Sequence, residues 1–357
     1  MRNQPSSLTL LEVQPITDET EVVRVGVVGC GYWGPNLIRN FFEIPGSSVE
    51  IVADLREDRL THIKKLYPAV EVTREYGDIL DSSVDAVVVS TGASTHFDLA
   101  KSALQRRKHV LVEKPLCTTS KQAEELIDLA ERYSSVLMVG HTFEYNPAVE
   151  TLKALVQSAE IGDVYYVNTS RLNLGIFQKD INVLWDLAPH DISILLYVLG
   201  MEPVSVSARG SSFVQPGIHD VAYLTLNFPK SVLAHVHVSW LDPCKMRRTT
   251  VVGSKKMVVY DDVESLEKIR IYDKGVTVLP HTDTFGDFHL SYRYGDITVP
   301  HVPFTEPLKI ECCHFLESVR TGQRPRSDGY AGLRVVKTLE MAQKSLLNGG
   351  LAERIEL

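Results

Sequence analysis

Lys114, Asp186 and His190 have the residue types and spacing for acid–base chemistry. Lys114 stands in Glu113-Lys114-Pro115, directly after the apolar run His109-Val110-Leu111-Val112. A lysine at a strand end is usually a solvated charge, but the proline after it fixes the local backbone and aims the ammonium toward the strand's carboxyl edge. His190 stands in Trp185-Asp186-Leu187-Ala188-Pro189-His190-Asp191, ahead of an apolar helix from Ile192 to Leu199 that Gly200 ends. With Pro189 in the first helical turn, His190 falls near the N-terminus, where the helix dipole keeps the imidazole neutral, as a general base must be. Asp186, one turn earlier, then reaches a ring nitrogen and fixes the tautomer. The competing reading is a capping aspartate and a satisfied core histidine. A neutral imidazole with an ammonium nearby suits removal of a hydroxyl proton while the charge growing on oxygen is held in place.

What positions these groups is written ahead of them. The apolar strand Arg24-Val25-Gly26-Val27-Val28 runs into Gly29-Cys30-Gly31-Tyr32-Trp33-Gly34, and a second apolar run, Val49 to Ala53, closes on Asp54. Strand, glycine loop, helix, strand and acid in that order form a dinucleotide-binding fingerprint. Gly29 permits the turn, Gly31 admits the pyrophosphate, and Gly34 brings the helix onto the sheet, with its first N–H groups facing the phosphates. Asp54 is placed to accept the adenosine ribose hydroxyls and to repel a 2′-phosphate, which favours NAD over NADP. Arg56 opposes that preference if it turns inward. With a nicotinamide site upstream, the catalytic reading of Lys114 and His190 takes precedence over the structural one.

Strands and helices keep alternating beyond Asp54. Asp85 to Val89 reads as a strand buried on both faces, and a helix from about Ser94 carries Phe97, Ala100 and Leu104 on one side. Thr119 and Gln122 form a capping box for the next helix, and Val136 to Val139 is one more strand, which completes a doubly wound sheet by about Gly140. Ligands in such sheets sit at the carboxyl ends of the strands, which singles out Ser90-Thr91-Gly92, Glu113-Lys114-Pro115 and His141-Thr142.

From Val164 the apolar residues alternate. Ala222, Leu224, Leu226 and Phe228 share one face, as do Val232, Ala234, Val236, Val238 and Trp240 after a turn at Pro229-Lys230. The expected fold is α/β, a Rossmann sheet followed by an α+β domain with a large, open, mostly antiparallel sheet. Residues 1–22 are expected to be a flexible extension, 23–142 the NAD-binding domain, 143–327 the substrate and oligomerisation domain, and 328–357 a helix packing back on the first domain. The helices at Ile192 to Leu199 and near Leu308 are expected to cover the second sheet incompletely. A homodimer or homotetramer joined through residues 203 to 260 follows.

The 357 residues suffice for two cores, and the formal net charge of −8 argues against nucleic acid or an anionic membrane as partner. No run is long enough to span a bilayer, and the start does not read as a signal peptide. Five cysteines without a CxxC pair fit a reduced cytoplasm. His235 and His237 share a strand face, but no third ligand accompanies them, so no metal is expected.

Over about residues 23 to 347 the chain resembles the glucose-fructose oxidoreductase, inositol dehydrogenase and MocA family. The carriers are the glycine loop, Ser94-Thr95-His96, Glu113-Lys114-Pro115, the Asp186 and His190 pair, and Asp328 to Val336. The resemblance implies catalysis by Lys114 and His190 with Asp186 supporting the proton relay. It implies NAD contacts from Gly29, Gly31, Tyr32, Trp33, Gly34, Asp54, Thr91, His96, Glu113 and Lys114. Thr91-Gly92 departs from the family's common Thr-Pro. Within the family, Gly140 to Ala148, Arg171 to Gly175 and Leu184 to Asp191 are similar to UDP-N-acetylglucosaminuronate 3-dehydrogenases, whereas Asp186 is more usual in inositol dehydrogenases. Substrate contacts are expected from Tyr145, Arg171, Asn173 and His190, with Arg171 suited to a carboxylate or phosphate.

The reading is an NAD-dependent dehydrogenase acting on a secondary hydroxyl, C3, of a nucleotide-linked sugar. Its rivals are an inositol or free-sugar dehydrogenase or ketoreductase, a glycosidase using transient C3 oxidation, and a non-catalytic NAD sensor.

Overall fold

Two sheets organise the chain, and both follow from its apolar patterning. The computed structural model describes residues 22–278 and 290–356, so all but the last residue of the expected N-terminal extension lies outside the described residues. The first sheet contains β1 (Val23–Val28), β2 (Ser47–Ala53), β3 (Glu71–Thr73), β4 (Ala86–Val89), β5 (His109–Glu113) and β6 (Leu137–Gly140). Its order is β3-β2-β1-β4-β5-β6 with every pairing parallel, the doubly wound arrangement. Between the strands run α1 (Gly34–Glu43), α2 (Glu57–Leu66), α3 (Tyr76–Asp81), α4 (His96–Gln105) and α5 (Ser120–Tyr133). Thr119 caps α5 by accepting from the Gln122 N–H at 3.2 Å, while Gln122 reaches back to Thr118 rather than to Thr119.

The second sheet has nine strands. Helix α6 (Pro147–Gln157) precedes β7 (Val164–Leu174), and α7 (Val183–Leu199) follows it. Then come β8 (Ser205–Ser211), β9 (Val221–Asn227), β10 (Leu233–Ser239), β11 (Leu241–Gly253), β12 (Met257–Asp261), β13 (Ile269–Val278) and β14 (Leu290–Thr298), and finally α8 (Pro307–Thr321), α9 (Gly329–Leu347) and β15 (Glu353–Arg354). The order is β14-β13-β12-β11-β7-β10-β9-β8-β15; β10 and β7 are parallel and the other pairs antiparallel. The period-two faces are as expected: Ala222, Leu224, Leu226, Ala234, Val236 and Val238 are buried under α7, while Tyr223, His235 and His237 lie on the outer face. The turn between β9 and β10 is a 3₁₀ turn, Pro229–Ser231.

Three features differ from the sequence expectation. Helix α7 begins at Val183, capped by the Asn182 side chain on the Trp185 N–H, so Pro189 is interior and His190 is not at the N-terminus. Trp185 to Ala188 carry no breaker, and the asparagine cap wins over the proline as start signal. Helix α8 covers the first sheet: Leu308, Cys312, Phe315 and Leu316 join the core of β1 and α1. Helix α9 serves both sheets, with Val336 in the core beneath β5 and β6 and Val335, Leu339, Ala342 and Leu346 in that of the second sheet.

Candidate active site

The glycine loop has the form a dinucleotide requires. Gly29 has φ +98°, and a Cβ there would lie 2.6 Å from the Ser90 carbonyl oxygen. A Cβ on Gly34 would run into the Gly29 carbonyl, so the start of α1 lies directly on the turn. No side chain caps α1, which leaves its first amides for an anion. Beside Gly31 the nearest atom to a Cβ position is a guanidinium nitrogen of Arg59 at 3.8 Å, leaving the close backbone approach open. Tyr32 and Trp33 stack at 6.5 Å, with Tyr32 exposed.

Asp54 is buried at the end of β2, where its Oδ2 accepts the Cys30 N–H at 2.6 Å and its Oδ1 the Arg56 N–H at 2.9 Å. The cation beside it is Arg59, at 3.2 Å; the Arg56 guanidinium is turned away onto Asp58. The NAD-over-NADP argument therefore turns on Arg59, which sequence spacing did not single out. Burial and Asp54 push the Cys30 thiol up to about 12, so it stays protonated.

At the carboxyl edge, the loops after β4, β5 and β6 come together. His96 is buried and its ring nitrogens meet the carbonyl oxygens of Pro115 at 2.7 Å and Thr91 at 3.1 Å. It therefore ties two loops together rather than facing the cleft. Thr91 Oγ1 pairs with Thr95 Oγ1 at 2.7 Å. Burial pushes the Glu113 carboxyl up to about 7, against the pull of Lys114 and a hydrogen bond from Trp33.

Lys114 crosses to the second sheet's helix. Its Nζ donates to the Asp186 carbonyl at 2.9 Å and lies 3.4 Å from Asp186 Oδ1. The other oxygen, Oδ2, accepts the Trp240 Nε1–H at 3.0 Å. Asp186 thus holds the lysine and does not pair with His190, correcting the expected carboxylate–imidazole contact. The reason is direction: from α7 the Asp186 side chain is taken by Lys114, just after β5, and by Trp240, just after β10.

His190 lies one turn further along α7, its ring edge-on to Phe143 at 5.2 Å. Its Nδ1 is sealed from solvent without a hydrogen-bond partner among the described residues, which leaves the Nε2 edge as the accessible side. Burial first, then the charges of Lys114, Arg171 and Arg247, hold its pKa well below the usual imidazole value. The base is neutral, but by burial and neighbouring cations rather than by a helix dipole. His141, with both ring nitrogens unpartnered among the described residues, is pushed down to about 3 by burial and Lys114.

The expected substrate contacts separate. Tyr145 is withdrawn into the core, its hydroxyl on Ser327 at 3.0 Å, so it does not face substrate. Arg171 is buried on the inner face of β7 and its Nε donates to Asp191 Oδ2 at 2.7 Å. Asn173, two residues on, shares that face and is partly exposed. Phe143, Asp191, Trp240 and Arg247 join the site without having been expected there. Arg247 was legible in part, since it continues the alternation of Thr249 and Val251 along β11.

Comparison with known proteins identifies the family of both halves of the chain. Residues 23–141 match the sequence model of the Gfo/Idh/MocA oxidoreductase family with its NAD-binding Rossmann fold, and residues 149–259 match that of the Gfo/Idh/MocA C-terminal domain. The chain belongs to the Gfo/Idh/MocA family. It is an NAD-binding oxidoreductase whose relatives include sugar and polyol dehydrogenases. A UDP-N-acetylglucosamine 3-dehydrogenase of Acidithiobacillus ferrooxidans is 28% identical over 88% of this chain and 94% of its own. A myo-inositol 2-dehydrogenase of Thermotoga maritima is 25% identical over 91% of this chain and 96% of its own. The solved structure of the Acidithiobacillus enzyme superposes with a TM-score of 0.77 at 25% identity, covering 91% of this chain and 98% of that one. Among the described residues, no helix is long and apolar enough to cross a membrane, and no three potential ligands gather into a metal site.

Proposed function

We propose that this Gfo/Idh/MocA protein oxidises a secondary hydroxyl, at C3, of a nucleotide-linked sugar such as a UDP-N-acetylhexosaminuronate. The observation that carries the reading is the Lys114 ammonium, hydrogen-bonded to α7 one turn before His190. It supports the reading by setting a cation from the end of β5 against α7, one turn from the imidazole. His190 accepts the hydroxyl proton at Nε2, the ring atom that faces the cleft. Lys114 donates to the same oxygen and stabilises the negative charge that grows there, and Asp186 with Trp240 keeps the ammonium in place. NAD, when bound, supplies a hydride acceptor at nicotinamide C4. The loop from Gly29 to Gly34 would hold its pyrophosphate, Asp54 the adenosine ribose, and Glu113 and Thr91 the nicotinamide end. The C3 position takes its support from likeness to a UDP-N-acetylglucosamine 3-dehydrogenase. Free cysteines at all five positions suit a reduced cytoplasm.

A second reading, oxidation of a free polyol, has the support of Asp186 and of the inositol dehydrogenase relative. A panel of UDP-sugars and free polyols assayed for NADH formation separates the two. NADH from UDP-sugars alone supports the first reading; NADH from inositols alone removes it. Bond cleavage without net NADH would assign a glycosidase instead.

A further inference from the structure

On the inner face of the second sheet, Arg247 is paired through one nitrogen and keeps the rest of its guanidinium without a protein partner among the described residues. In the antiparallel register of β7 and β11, Arg247 lies directly beside Arg171, so both side chains project from the inner face toward the cleft. Arg171 is 4% exposed and doubly bonded to Asp191, at 2.7 and 3.4 Å, which leaves it no reach toward a ligand. Arg247 is different, with a side chain 38% exposed. Its Nη1 donates to Asp262 at 3.2 Å, and its Nε and Nη2 donate to nothing among the described residues. Asp262 is itself divided: it accepts from the Tyr260 hydroxyl at 2.9 Å and the Asn146 amide at 3.3 Å, and Lys268 lies 3.9 Å away.

Phe143 fixes where this cation sits. Its ring has the Arg171 guanidinium at 4.4 Å and that of Arg247 at 5.9 Å, and it meets the His190 ring edge-on at 5.2 Å. Base and exposed guanidinium therefore both lie beside the same aromatic ring. A sugar with its reacting hydroxyl at His190 would lie beside Phe143, the ring that Arg247 also adjoins. A planar fork with two uncommitted donor groups matches the oxygens of a carboxylate or phosphate.

We infer that Arg247 is the anion-binding residue of the substrate site and sets a preference for sugars that carry a carboxylate or phosphate. The inference rests on the nucleotide-sugar reading above and gives it a residue. Arg171, expected from sequence to bind the anion, becomes the buried neighbour that holds Phe143 and α7 in position.

The test uses the full chain loaded with NADH. UDP-N-acetylglucosaminuronate, UDP-N-acetylglucosamine and free glucuronate are titrated by calorimetry into the wild type, Arg247→Gln and Arg247→Lys. Glutamine should weaken the anion's binding tenfold or more with NADH affinity and thermal unfolding unchanged, and lysine should restore part of it. A loss confined to the two uronates assigns the carboxylate. An equal loss for both UDP-sugars, with none for glucuronate, assigns the pyrophosphate. Unchanged binding of every ligand in Arg247→Gln overturns the inference. Failure of the nucleotide-sugar reading looks different: the wild type then takes neither UDP-sugar, while glucuronate still reports on Arg247. If the wild type binds none of the three, the inference falls as well.

Discussion

His190 and Lys114 were legible as a pair because each follows a sequence signal tied to position: the end of an apolar strand, and a polar motif before an apolar helix. Their partners were not legible. Asp186 is one turn from His190 in the chain, yet its oxygens go to Lys114 and Trp240, groups that only the packing of two sheets brings near. With the imidazole as the base, His190→Ala should lower turnover by about 10² or more while NAD affinity, measured by titration calorimetry, stays close to wild type. Because its folded pKa lies well below the usual value, the imidazole remains neutral to unusually low pH. The acid limb of kcat/KM in the wild type should therefore fall well below pH 6.5. An acid limb at or above that pH would assign the base to another group. A second outcome belongs to Asp54. NAD should bind at least about tenfold more tightly than NADP, roughly 1.4 kcal/mol. Arg59→Ala should widen that gap by removing the cation 3.2 Å from the carboxylate. Equal affinities for the two cofactors in the wild type would put the ribose under the control of Arg59 instead.

At the scale of elements, the first sheet was legible almost strand by strand, since continuous apolar runs punctuated by glycine have few other uses. Helix α8 shows where periodicity stops: Leu308, Cys312, Phe315 and Leu316 mark an apolar stripe but cannot say which sheet it will cover. In the short 3₁₀ turn Thr142–Tyr145, Tyr145 was read as a substrate contact, but it and Glu144 sink into the interior. One of them, Glu144, is pushed up to about 8 by burial, from an ordinary value of 4.5. The folded chain keeps this proton to about pH 8, while the unfolded chain releases it above about 4.5. Folded protein thus binds more protons across that window, and stability falls as pH rises through it. Glu144→Gln should flatten the fall, so the drop in Tm from pH 5 to pH 8, followed by calorimetry, should be smaller than in the wild type. An equal or larger drop would mean that Arg326 keeps the carboxylate ionised.

For the whole molecule, the outer face of the second sheet is the unfinished surface. Tyr223 stacks on His237 at 4.2 Å and near His235 at 6.0 Å, while Tyr166 and Leu233, paired across β7 and β10, stand exposed on the same face. Helices α6, α7 and α9 all pack into the core on the inner face, and Tyr223, His235 and His237 have no part in that core. A symmetric contact with a second copy would exclude water from this face. Light scattering should then give two or four times the 39.9 kDa of one chain, and Tyr223→Asp should lower that mass. A wild type that stays monomeric and active at micromolar concentration would remove the argument.

Helix α9 carries a consequence for how the chain can be taken apart. Its Val336 side chain fills the interior of the first sheet while Val335 and Leu339, on neighbouring faces, fill that of the second. The first sheet also borrows α8, so much of what seals it arrives only after the second sheet has been made. A fragment ending near residue 142 would leave Leu126, Ile127 and Phe41 without their cover and should aggregate rather than fold. In synthesis the nucleotide-binding half would remain an open structure until the last helices emerge. Heat should then melt both halves in a single cooperative transition, however separate their sheets look.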